Sequence, residues 1–276
     1  MGATSQGPEA RGDAGIVVSR LDGTDQRLIR QNYVLSWSPD QRYVAVLDDK
    51  ESTQLKLSLR ELATGKEVFS QATHPCIPIT RCPRFSRDGK RFAFPVPGGG
   101  VEVLDLSGAE VRRVAGFQLD GRMPHGLAFS ADSTLLAAGA IPQDGENMIT
   151  VWQLQPEPAE RGVIRLQAKM PYFLEFSADG RQLLGMMDDG VSVWDVASGQ
   201  RVRVMPLRRE AGPTAAIAPD GRVLAVAGQS PNPQDQQPHG VLSLLDISSG
   251  ALLHEVSNAE LAALTDIDFS PDGRSL

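Results

Sequence analysis

One short phrase, an aromatic or apolar residue followed by a small residue and an Asp-Gly-like turn, recurs six times along the 276 residues. It reads Trp37-Ser38-Pro39-Asp40, Phe85-Ser86-Arg87-Asp88-Gly89, Phe129-Ser130-Ala131-Asp132, Phe176-Ser177-Ala178-Asp179-Gly180, Ile217-Ala218-Pro219-Asp220-Gly221 and Phe269-Ser270-Pro271-Asp272-Gly273. The six aspartates are separated by 48, 44, 47, 41 and 52 residues. Self-similarity at such a period means one supersecondary unit repeated, each burying its faces against its neighbours. Within the phrase, Pro sets φ, Asp caps the backbone with its own side chain and Gly accepts the left-handed conformation that follows. Each phrase therefore predicts a tight turn between two antiparallel strands. The runs after it, such as Tyr43-Val44-Ala45-Val46-Leu47 and Val223-Leu224-Ala225-Val226, are short, apolar and without helical periodicity.

A second anchor follows in every unit, an alternating apolar run ending in an aromatic or Leu and then an acidic or polar residue. It is seen as Val103-Leu104-Asp105, Val151-Trp152-Gln153, Val193-Trp194-Asp195 and Leu244-Leu245-Asp246, with Leu59-Arg60-Glu61 the most divergent. Thr64-Gly65, Ser107-Gly108, Ser198-Gly199 and Ser249-Gly250 then supply a residue tolerant of φ > 0 before a last strand. Four strands per unit are thereby accounted for. With both anchors in place the chain resembles the WD-repeat family over about residues 15–276, the name-giving dipeptide being Trp194-Asp195. The Gly-His dipeptide that the resemblance leads one to expect ahead of each first strand is missing, so the family's Asp-His-Ser-Trp network does not carry over. TolB-type propellers share the F-S-x-D-G turn and are the second resemblance.

The expected fold is all-β, a β-propeller of four-stranded antiparallel blades, about six in number. Residues 1–14 are expected to be a disordered tail. A half blade at 15–30 would precede full blades at about 34–70, 83–115, 126–167, 172–205 and 214–256, and a complementary half would follow at 266–276. One blade would thus be shared between the termini, which removes open sheet edges. The second strand of that blade would hold only Arg274, Ser275 and Leu276, so the C-terminus is expected to be clipped from a longer, multidomain parent.

Composition limits function. At 41% hydrophobic the chain can bury a large core, and a net charge of −7 is a poor match to nucleic acid. No apolar run reaches the roughly 18 residues that a span needs, and the first 14 residues lack a signal-peptide pattern, so a cytoplasmic location is expected. No metal is expected: His74, Cys76 and Cys82 fall short of a four-ligand zinc site, and the acidic pairs Asp48/Asp49 and Asp188/Asp189 lack the alternation of a calcium loop. Nucleophile elbow, phosphate loop and dinucleotide fingerprint are all lacking, and Gly98-Gly99-Gly100 fits a hairpin connection better than a phosphate cradle. No cofactor is implied.

The function expected is a non-catalytic interaction scaffold or a sensory or regulatory module. The alternative is a small-molecule enzyme, lactonase-like or quinoprotein-like, using the central channel mouth. First-to-second strand turns share one face of the disc; longer connections, including Pro95 to Gly100 and Gly116 to His125, share the other. Binding residues concentrate on loops carried by rigid scaffolds. On the links leading to the inner strands, Arg81, Arg122, His125, Tyr172 and Arg208 are the candidate binding residues, suited to a protein or peptide partner with an acidic or phosphorylated segment.

Overall fold

The computed structural model describes residues 15–18, 27–30, 33–48, 55–73, 82–142, 146–155, 157–166, 171, 173–187, 189–207, 210–231, 238–258, 261, 267–270 and 272–276. Strands β1 (Gly15–Val18) and β2 (Arg27–Arg30) pair as an antiparallel hairpin. Five four-stranded antiparallel sheets follow. Blade one is β3 (Tyr33–Trp37), β4 (Tyr43–Asp48), β5 (Lys56–Glu61) and β6 (Glu67–Ala72). Blade two is β7 (Arg84–Phe85), β8 (Arg91–Val96), β9 (Gly100–Asp105) and β10 (Arg112–Gln118). Blade three is β11 (Met123–Phe129), β12 (Leu135–Ile141), β13 (Asn147–Gln153) and β14 (Ala159–Leu166). Blade four is β15 (Leu174–Phe176), β16 (Gln182–Met187), β17 (Gly190–Asp195) and β18 (Arg201–Met205), and blade five is β19 (Glu210–Ile217), β20 (Val223–Pro231), β21 (Pro238–Asp246) and β22 (Leu252–Asn258). No helical element occurs among the described residues. The 1–14 tail and nearly all of the stretch between β22 and Ile267 lie outside them, and so do His74, Cys76 and Asp188. Cys82 is disulfide-bonded, and the chain has one other cysteine, Cys76.

Each repeated phrase folds by local hydrogen bonding. In blade two, Ser86 Oγ donates to Asp88 Oδ1 at 2.7 Å, that oxygen accepts Lys90 N at 3.1 Å, and Gly89 N donates to Ser86 O at 3.0 Å. The pattern repeats at Ser130/Asp132, Ser177/Asp179 and, beyond the last blade, Ser270/Asp272. Gln41 and Ser133 occupy the glycine position with φ of 59° each. Consecutive turns also touch: a Cβ on Gly221 would meet Ala178 Cβ at 2.4 Å, so the residue is held to glycine by both φ and space.

The core lies in the seams between blades. Tyr43, Leu57 and Leu59 of blade one pack with Phe85, Phe92 and Phe94 of blade two. Val101 and Val103 of blade two pack with Leu127, Phe129 and Trp152 of blade three, where Trp152 stacks on Phe117 with ring centres 4.6 Å apart. Blades three and four meet around Trp194, four and five around Met205, and Ile267 and Phe269 pack on blade five. Burying such faces is the driving force that one blade alone lacks.

Two periodic details are less apparent from the sequence. In all five blades the register between third and fourth strands slips near the third strand's acidic or polar end, between Leu59/Arg60, Arg113/Ala115, Val151/Trp152, Val193/Trp194 and Leu244/Leu245. Such bulges bend the outer strand and increase its twist. Three residues before that end, each third strand buries a polar side chain: Ser58, Glu102, Thr150, Ser192 and Ser243. Glu102 is held by Arg113 at 3.1 Å, and Ser243 Oγ donates to Glu255 Oε2 at 3.3 Å.

Candidate functional site: the two mouths of the ring

The inner strands run from the loop face to the turn face, so residues just before each repeated turn lie at the turn-face end. There, Arg84 of β7 is ion-paired with Glu175 of β15, joining blade two to blade four past blade three. The Arg84 and Glu175 side chains are 24% and 16% exposed. One turn further out, Arg87 Nη2 donates to Pro219 O of blade five at 3.2 Å. Two arginines of blade two therefore lace this end of the ring to blades that are not its neighbours.

At the opposite face the link between blades two and three is built tightly. Asp120 and Gly121 both have positive φ, 51° and 74°, and Arg122 N donates to Leu119 O at 2.9 Å. This is the pattern of a type I′ turn, here joining strands of two different sheets. The Gly98-Gly99 turn is clamped onto it. Leu119 N donates to Gly99 O at 2.9 Å, and a Cβ on Gly99 would come within 2.6 Å of Arg122 O. Strands β8, β9, β10 and β11 thus extend almost to their turns, and the segments Pro95–Gly100 and Gly116–His125, expected as long irregular connections, are tight ones.

Of the five candidate residues, Arg122 and His125 are described, and Arg81, Tyr172 and Arg208 lie outside the described residues. Arg122 is 24% exposed, approaches Asp120 Oδ2 at 3.7 Å and keeps a buried Nε without a hydrogen-bond partner. His125 stands in β11 rather than in a loop, at a bulge between Pro124 and Gly126. It is 8% exposed, its Nδ1 has no partner, and burial pushes its pKa below the ordinary histidine value. Buried nitrogens without acceptors are rare in native proteins and each one calls for an explanation. Among the described residues no group of three or more His, Cys, Asp or Glu side chains is placed to hold a metal ion. The cross-ring pair Arg84–Glu175 was missed by sequence reasoning; the sequence signal available was a charged residue immediately before the aromatic of three phrases, Arg84, Glu175 and Asp268, of which the first two have opposite charge.

No family model matches the chain. The WD repeat-containing protein 26 homolog of Drosophila melanogaster is 29% identical over 186 residues, 66% of this chain and 27% of that protein. WD repeat-containing protein SL1-17 of Schistosoma mansoni is 34% identical over 130 residues, 46% of this chain and 38% of that protein. Among solved structures, TolB from Acinetobacter baumannii superposes with a TM-score of 0.52 at 18% identity, over 89% of this chain and 60% of that one. A chain of the mitotic checkpoint complex gives 0.59 at 17% identity, over 83% and 66%. The chain is a WD-repeat-like β-propeller. It spans well under half of either WD-repeat relative and just under two thirds of both solved chains. The propeller lacks a helix long and apolar enough to cross a membrane among its described residues.

Proposed function

We propose that this propeller is a non-catalytic scaffold that binds a segment of a partner protein at the loop-face mouth of its ring. The observation that carries this reading is the asymmetry of the two mouths. The turn-face end is laced by Arg84–Glu175 and by Arg87 on Pro219 O, while the loop-face end holds Arg122 and His125, whose buried Nε and Nδ1 lack partners. The WD-repeat relatives support an interaction role. Arg81, Tyr172 and Arg208 complete the proposed site, and a partner carboxylate or phosphate is the chemistry that arginine forks receive best. The test is capture of binding proteins by the wild-type propeller and by an Arg81→Glu, Arg122→Glu double variant. The expected result is loss of specific partners with a melting temperature nearly unchanged. Full retention of every partner by a folded double variant would remove the loop face from consideration.

A further inference from the structure

Equivalent positions in the five blades bury equivalent side chains, except on two flanks. The aromatic residue of the repeated phrase packs on the blade before it: Phe85, Phe129 and Phe176 are buried there, whereas Trp37 of blade one is 43% exposed. Third strands turn two apolar residues to the blade after them. Leu57 and Leu59 of β5 are fully buried, as are their counterparts in β9, β13 and β17, but Leu242 and Leu244 of β21 are only half-buried. In the outer strands Ile164 and Met205 are buried, and Val256, which stands likewise beside the first of the third-strand pair, is 41% exposed. The near flank of blade one and the far flank of blade five thus present apolar side chains of the kind that the seams between blades cover.

The seams also show what does the covering. Phe92 and Phe94 of the second strand β8 pack with Leu57 and Leu59, and Leu224 and Val226 of β20 with Val191 and Val193. The residue between the two is small in four of the five blades, Ala45, Ala93, Ala137 and Ala225. It turns the other way: Ala45 lies in one cluster with Phe85, Ala93 with Phe129 and Ala137 with Phe176. A second strand of the form apolar-Ala-apolar therefore covers a third-strand pair on one side and a phrase aromatic on the other. Beside blade five the first-strand place is taken by Ile267 and Phe269. The turn that follows is closed, Ser270 N donating to Ser275 O at 2.9 Å as Ser86 N does to Arg91 O. Ser275 and Leu276 therefore point along the second-strand line, and Leu276, in the place of Phe92, is 45% exposed. Strand β1 pairs with β2 on one edge and with no other strand among the described residues.

We propose that these two flanks form a docking site for an extended apolar strand of a partner protein. The strand lies in the second-strand line, with large apolar residues on Leu242 and Leu244 and an alanine between them on Trp37. Backbone pairing to the edges of 267–269 and β1 supplies affinity, and the alternating side chains supply specificity. The residues involved are not those of the loop-face mouth, so the two readings stand or fall separately. The test is a titration of the 276-residue propeller with a blocked peptide copying Tyr43–Asp48, whose core is Val44-Ala45-Val46, read by tryptophan emission. Trp37 is the exposed one of the three tryptophans, Trp152 and Trp194 being buried. Docking is expected to give a saturable blue shift that Trp37→Phe abolishes. An analogue with serine at both valine positions is expected to bind about tenfold more weakly, and Leu244→Ser to weaken the valine peptide by a similar factor. Leu242→Ser serves in its place if Leu244→Ser does not fold. No saturable shift, a shift that survives Trp37→Phe, equal affinity for both peptides, affinity unaltered by the serine variant in a folded protein, or self-association of the propeller that excludes the peptide would each overturn the proposal.

Discussion

Trp194 shows how much one anchor carries. It is 2% exposed and sits in the seam cluster of blades three and four, so Trp194→Ala is expected to cost about 3–5 kcal/mol by cavity formation. A denaturation midpoint equal to wild type would contradict that. Titrating residues give the molecule a two-step acid response. His125 has a lowered pKa because of burial, so an unfolded chain binds its proton near the ordinary value of about 6.5 before the folded one does. Stability is therefore full above that value and declines as pH falls below it. Asp246 is the reverse chemical case with the same acid sign: hydrogen bonds from Ser248 and Ser249 lower its pKa from 3.8 to about 2. Its contribution is present above 3.8 and is lost as pH falls towards 2. Melting temperature against pH should thus fall in two limbs, and His125→Leu should abolish the upper one while leaving the lower. A single limb in the wild type would refute the assignment.

The strand is the scale at which the sequence was most legible. Ser, Asp and Gly chemistry spans five residues, so the turn at Ser86–Arg91 and its counterparts follow from local hydrogen bonds alone. What the sequence obscured was where strands end. Gly98-Gly99 and Asp120-Gly121 look like loop composition, yet they form tight turns because each has φ > 0 and one packs on the other. His125 was read as a mouth residue and proves to be nearly buried in β11, since strand extension and bulging depend on neighbours that one segment does not reveal. The outer strands carry a second lesson. Strands β10, β14 and β18 bear arginines, whereas β22 has neither Lys nor Arg and exposes all seven residues, Leu252, Leu253 and Val256 among them. Charged edges discourage strand addition, and the one carboxylate of this edge is Glu255. Val256→Lys is expected to lower concentration-dependent light scattering without changing the melting temperature by more than a few degrees; unchanged scattering would show that β22 is not the sticky edge.

At the scale of the molecule, the repeat period announced the ring but gave no sign of Arg84–Glu175. Those residues are 91 positions apart, and only the curvature that brings β7 and β15 round β11 makes them neighbours. The Arg84 and Glu175 side chains are part-buried but still reached by solvent, and such a pair contributes on the order of 1 kcal/mol. Glu175→Gln should therefore lower the denaturant midpoint slightly in low salt and hardly at all in high salt; a large loss independent of salt would indicate a packing role instead. The pair matters more for connectivity than for energy. Seams join each blade to the next around a rim, but a chord from blade two to blade four turns three rim segments into a triangulated span. A load that pries blade three outwards has to stretch that chord as well as two seams. Under tension, then, blades two to four should yield in one rupture of about three blades' length, with blade one peeling away separately and blade five held to blade two by the Arg87–Pro219 O bond.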